Sequence, residues 1–244
     1  MDVQNEHTLV EMDGLYHCTS LNGLRSIFQS GSFHPFFCLE EASYLKDTIR
    51  FAFAVVCFAD LRRSELLEHM TNFSSDVYIK MSKEWAIRKN ISPVTYYSEK
   101  STLSSAIYRA LIDYAARHKE EREIFYPVNL MLGLLKQYRG HYYDKKLKAF
   151  SSREVCFYLE REWRYLPLVQ NGEAYYIDES AFMDEAFRQS KQQELVKHQY
   201  VLDFTWDDVL ELGCNVDFRC DLVEVLTDTF PISVEEALSK IQTI

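Results

Sequence analysis

Apolar positions along this chain switch repeatedly between a two-residue and a helical period, and the switches mark its elements. Residues 14–20 (Gly-Leu-Tyr-His-Cys-Thr-Ser) read as a short strand ending at an N-cap. Ser20 suits the cap of a helix over 21–30, where Leu21, Leu24, Ile27 and Phe28 share a face, and Gly31 is the expected stop. An extended aromatic segment over 33–41 leads into an expected helix over 41–50. The continuous apolar run 51–58 reads as a buried strand, with Asp60 just beyond it. A helix follows over 61–70, then an alternating strand over 76–81. Ser82 caps a helix over 83–89, which Asn90 ends in a left-handed turn, and 93–97 is a further strand opened by a proline. Two helices are expected next: Leu103, Ile107, Ala110, Leu111 and Tyr114 define one, and Pro127 starts another over 128–138 with Leu130, Leu134 and Leu135 inward. Strands on both sides make this a helical insertion at about 101–150.

The run 153–167 (Arg-Glu-Val-Cys-Phe-Tyr-Leu-Glu-Arg-Glu-Trp-Arg-Tyr-Leu-Pro) reads as the central strand. Alternation puts Val155, Phe157, Leu159, Trp163 and Tyr165 on a core face, which Arg161 interrupts. Cys156, Tyr158, Glu160, Glu162, Arg164 and Leu166 fall on the opposite face, so two carboxylates and a guanidinium form one stripe. Such a stripe suits either a solvated surface with salt bridges or the wall of a binding cleft. A strand over 173–177 is expected to pair with it through a turn at Asn171-Gly172. Beyond lie a polar helix over 181–197, a strand over 199–204, a tight turn at 206–209 and a short strand over 210–214. Segments 221–227 and 234–241 close the chain, separated by Pro231. Strands and helices mix irregularly, which is the pattern of an α+β fold.

Composition narrows the class. With 244 residues, 47% hydrophobic, the chain can build a substantial core, and only 7 Gly and 5 Pro leave no candidate linker, so a single domain over 1–244 is expected. The longest apolar run, 51–59, is far too short to span a bilayer, and no signal peptide is visible; a soluble, cytoplasmic protein is expected. The six cysteines are widely spaced with no CxxC pair, which argues for reduced thiols rather than a zinc knuckle. A formal charge of −10 repels nucleic acid at long range, and the basic clusters at 62–63 and 145–148 are short, so nucleic acid is not indicated. Phosphate loops, GxSxG, HExxH and EF-hand patterns are missing, and the seven histidines lack metal-ligand spacing.

Two resemblances add to this reading. The opening block 16–31, with its His-x-Thr strand and following helix, resembles the start of the ADP-ribosyltransferase superfamily. Val56-Cys-Phe-Ala-Asp60, His69, Tyr78-Ile-Lys-Met-Ser-Lys-Glu-Trp85, Pro93-Val-Thr-Tyr96, Glu160-Arg-Glu-Trp-Arg-Tyr165 and Leu202-Asp-Phe-Thr-Trp-Asp-Asp-Val209 resemble the AbiGi-like abortive-infection family, described as antitoxins of bacterial phage defence. The first resemblance implies a transferase-like split sheet with flanking helices and NAD as cofactor. His17, with Thr19 on the same face, would hold the adenosine ribose, and Tyr78 or Tyr44 would stack on the nicotinamide. Glu162, with Glu160 second, would stabilise the oxocarbenium-like ribose as nicotinamide leaves, while Arg164 keeps Glu162 ionised at the cofactor site. The second resemblance implies a binding module without turnover, whose partner is a cognate toxin or a phage protein. A weaker third reading is a metal-dependent phosphodiesterase using Glu160, Glu162 and Asp60.

Overall fold

The apolar run at 51–58 lies within a 13-residue strand, Asp47–Ala59; the structure describes residues 14–44, 47–117, 131–167 and 176–244. Their contacts divide the chain into two interleaved units. One contains residues 14–34, 57–92 and 201–244; the other contains the described residues of 35–56 and 93–200. The long strand contributes to both. Among the described residues no helix is long and apolar enough to cross a membrane.

In the first unit the Gly14–Thr19 strand pairs antiparallel along its length with Val77–Ser82, from Gly14↔Ser82 to Thr19↔Val77. Its other edge meets the end of the long strand at Tyr16↔Ala59. Val209–Cys214 adds antiparallel to Val77–Ser82, and Ile241–Thr243 lies parallel beside it at the edge. The expected caps form: Ser20 Oγ accepts from Gly23 N at 3.1 Å, and Ser82 Oγ accepts from Trp85 N at 3.1 Å. Gly31 (φ 62°) and Asn90 (φ 57°) take the left-handed conformation that stops each helix. The Leu21–Ser30 helix packs on Arg219–Thr229, with Phe28 edge-on to Phe204 and Phe230. Trp85, wholly buried, sits against Phe33 and Phe58.

In the second unit Phe36–Tyr44 and the long strand form a hairpin in register from Phe36↔Val55 to Tyr44↔Asp47. A hairpin therefore replaces the helix expected over 41–50. Ala42 and Tyr44 bury alternately, and Glu41 finds its cation across the hairpin, accepting from Arg50 Nε at 3.0 Å. Tyr176–Asp178 pairs with this long strand (Tyr176↔Phe53), not with the 153–167 run; the expected turn at 171–172 lies outside the described residues. Helices Glu179–Met183 and Glu185–Lys197 cover one face, where Phe37, Leu39, Ala52, Ala54, Ile177, Phe182 and Leu195 form a core.

The Thr102–Arg117 helix forms as expected, but residues 135–150 are strands in pairs. Leu135–Gln137 runs parallel to Thr95–Tyr97, Arg139–Gly140 pairs with Val155–Cys156, and Tyr143–Asp144 pairs with Ala149–Phe150. Leu134 and Leu135 satisfy a helical spacing over too short a window to exclude a strand. Leu130, on which that spacing also depended, lies outside the described residues. The architecture is mixed α+β.

Candidate functional site

The 153–167 run is not one strand. Val155–Cys156 is followed by a 3-10 turn, Phe157–Glu160, then Arg161 in the left-handed region (φ 40°), and only then by the strand Glu162–Tyr165. The turn resets the alternation and reverses the expected faces. Glu162 (5% exposed) and Arg164 (1%) point inward, Trp163 and Tyr165 are half-buried, and Leu159, expected in the core, is 65% exposed.

Burying a guanidinium requires partners for every N–H. Arg164 has them all. Nε donates to Glu162 Oε1 at 2.7 Å and Nη2 to Glu162 Oε2 at 3.1 Å. Nη1 donates to Glu40 Oε2 at 3.0 Å and to the Gly133 carbonyl at 3.0 Å, and Nη2 also bonds Glu40 Oε1. A second cation completes the cluster: Lys136 Nζ donates to Glu160 Oε2 at 2.8 Å and Glu162 Oε2 at 2.6 Å, and lies 3.7 Å from Glu40 Oε1. Lys136 also rests on the Phe157 ring, 4.7 Å from its centroid. The Tyr96 hydroxyl accepts from the Glu162 backbone N–H at 2.8 Å, tying the cluster to the neighbouring Thr95–Tyr97 strand.

Three carboxylates face two cations, leaving one net negative charge in a largely dry site. Burial alone would push the Lys136 ammonium down, but Glu160, Glu162 and Glu40 overcome it and hold it well above its usual value. Glu160 carries the excess: burial raises its carboxyl above the ordinary range despite the opposing pull of Lys136. Chemically this is an ion cluster in which every Arg164 donor and both Glu162 oxygens are engaged. Among the described residues no group of three His, Cys, Asp or Glu could hold a metal.

Of the residues singled out from sequence, Glu160, Glu162 and Arg164 come together here, joined by Glu40 and Lys136, which sequence reasoning missed. Glu40 was hidden in a segment read only as extended, and Lys136 in one read as helix. Tyr44, on the same hairpin strand as Glu40, is fully buried and stacks on Tyr97 at 5.3 Å with a 10° interplanar angle.

His17, Thr19, Tyr78 and Asp60 belong to the other unit. His17 Nδ1 donates to the Cys57 carbonyl at 2.9 Å, so Nε2 is the acceptor nitrogen of a neutral ring. Burial keeps that imidazole below its usual pKa, with the Cys57 bond pulling weakly the other way. Phe33 and Phe58 flank it at 5.1 and 5.5 Å. The Thr19 carbonyl accepts from Asp76 N at 3.0 Å. Tyr78 sits opposite Cys18 in the register, on the sheet face of Tyr16 and away from His17; its hydroxyl donates to Glu211 and accepts from Arg63. Asp60 accepts from Lys83 Nζ at 2.8 Å.

No curated protein and no solved structure matches the chain. A family model described as "Putative abortive phage resistance protein AbiGi, antitoxin" matches residues 31–211, a span that holds the whole charge cluster but neither His17 nor Thr19. The match covers well over half of the sequence, and the chain belongs to the AbiGi family of abortive phage resistance proteins.

Proposed function

We propose that this chain acts as a non-catalytic antitoxin, a binding scaffold that recognises a cognate toxin protein in the bacterial cytoplasm. The observation that carries this reading is the saturation of Arg164: all its N–H donors are engaged by Glu162, Glu40 and Gly133, while Lys136 bridges Glu160 Oε2 and Glu162 Oε2. A carboxylate that stabilises a developing cation needs an open face towards the reacting atom, whereas here internal cations take that face. The cluster is then a structural tie between strands. The test is co-expression with the product of the neighbouring gene followed by affinity capture of a stoichiometric complex. Failure of the purified pair to associate at micromolar concentration would dismiss it.

A second reading is favoured by one feature, the His17 ring, whose tautomer leaves Nε2 as an acceptor suited to a ribose hydroxyl. In it the chain has an ADP-ribosyltransferase-like fold and binds NAD, with His17 and Thr19 at the adenosine ribose. Glu162, with Glu160 second, is the carboxylate of this reading, and Arg164 and Lys136 must first release it before it can face the oxocarbenium-like ribose. Glu162→Gln is the informative variant, since Glu162→Ala would also strand two buried cations. Nicotinamide release by the wild type that vanishes in Glu162→Gln supports this reading; no release, or equal release from both, rejects it.

A further inference from the structure

The basic run 145–148 (Lys-Lys-Leu-Lys) forms the apex of a hairpin between Tyr143–Asp144 and Ala149–Phe150. All four residues are exposed, Leu147 at 76%. The turn is ordered from within: the Asp144 carboxylate accepts from the Lys146 N–H at 2.8 Å and from the Leu147 N–H at 3.0 Å. Its base is anchored as well. Tyr143 meets Phe150 and Phe182 edge-on at 5.5 and 5.4 Å, and the Ser151 N–H donates to the Tyr142 carbonyl at 2.8 Å. Lys148 holds a left-handed φ of 51°, a conformation that glycine or asparagine takes more easily. Local folding therefore favours another residue at 148, whereas a charged apex favours lysine.

Charge and shape narrow the partner. Among the described residues Lys145, Lys146 and Lys148 have no ion-pair partner, and the carboxylate of Asp144 is engaged by the turn's own N–H groups. At the foot of the hairpin Arg50 lies 4.6 Å from the Phe150 centroid and bonds Glu41 and Glu179, so the excess positive charge sits at the apex. In a chain of net charge −10 this is a local reversal of sign. We propose that the 145–148 apex inserts into an acidic-rimmed apolar socket on the toxin protein. Leu147 fills the socket, and the three ammonium groups meet carboxylates on its rim. The inference rests on the antitoxin reading above and adds the surface and the chemistry of the partner. Two strands about 5 Å apart make a narrow finger, which suits a concave site better than a flat one. Nucleic acid fits less well, because the apex carries no ring to stack on a base and its leucine gains nothing from phosphate. An anionic membrane would face the whole acidic molecule rather than the finger alone, and a single leucine inserts little apolar area.

The test is titration of the full-length chain with the purified product of the neighbouring gene. Leu147→Ser should weaken binding by about tenfold or more, with unchanged thermal unfolding. Lys145→Glu combined with Lys146→Glu should weaken it further at roughly 0.1 M salt, by a factor that shrinks as salt rises. Lys148→Gly separates binding from folding: it should weaken binding while thermal unfolding stays unchanged or moves upward. Lys100→Glu and Leu67→Ser, at exposed positions outside the hairpin, should bind as the wild type does. If the wild type binds and all variants bind equally, the finger is wrong while the antitoxin reading stands. If no form binds, the antitoxin reading itself fails and the finger with it. Binding of a single-stranded RNA oligonucleotide, or of phosphatidylcholine vesicles containing about 30% phosphatidylserine, that the Lys145→Glu, Lys146→Glu variant abolishes would overturn the proposal in favour of that occupant.

Discussion

Arg164 binds two carboxylates through both edges of its guanidinium and a carbonyl between them, and is almost wholly buried. Removing one partner of such a group leaves the others charged and dry, which costs more than the pair contributes. Arg164→Met should therefore destabilise the protein by about 3–5 kcal/mol in urea unfolding. Adding Glu162→Gln should recover part of that loss, a coupling that a double-mutant cycle measures. Glu160 predicts a pH dependence of definite sign. Its folded carboxyl is raised above the unfolded value, so the contribution it makes is fully present below about pH 4.3 and is lost as pH rises through the folded value. Glu160→Gln should flatten the stability curve above that point and match or exceed wild-type stability at neutral pH. A curve as steep as the wild type's would show that Glu160 is not the group carrying the excess charge. These roles were half legible: the Glu-x-Glu-x-Arg spacing marked three of the five charges, but sequence placed them on the outer face. No alternation rule anticipates that Arg161 turns left-handed and exchanges the face that the following strand buries.

Elements formed where their signals are local. Ser20, Gly31, Ser82 and Asn90 cap or stop helices as their positions imply, because a cap needs only three or four residues of chain. Segments whose state depends on a distant partner were misread. Residues 41–50 join a hairpin because Tyr44, Ala42 and Glu41 find burial or charge across it, and residues 135–137 become a strand because Thr95–Tyr97 lies alongside. Strand packing also makes a glycine obligatory. A Cβ on Gly213 would fall inside the ring of Tyr78, which is buried and tied to Glu211 and Arg63. Gly213→Ala should cost about 1–3 kcal/mol by overpacking, and pairing it with Tyr78→Leu should restore part of the loss. Additive effects in thermal unfolding would mean the two residues do not press on each other.

Across the whole molecule, the chain belongs to a family described as abortive phage resistance antitoxins and carries a formal charge of −10. If the chain neutralises its toxin by binding, the conservative variant Glu162→Gln should protect cells as well as the wild type does. Growth on co-expression with the neighbouring gene, and cellular NAD before and after induction, measure this together. Protection lost in Glu162→Gln, accompanied by an altered NAD level, would instead place the chemistry at Glu162.

What the sequence determined by itself was everything encoded over a few residues: the apolar run that became the long strand, the caps, the mixed α+β character, and the blocks resembling the AbiGi family. The tertiary structure decided which charges meet. Arg164 finds Glu40 across 124 residues and Glu162 finds Lys136 across 26. Periodicity can assign a charged side chain to a face, but whether that face is wet depends on what the rest of the chain lays over it. Here a hairpin strand and a neighbouring strand supply the counter-charges, and a stripe expected to face solvent or a ligand is buried among its own partners instead.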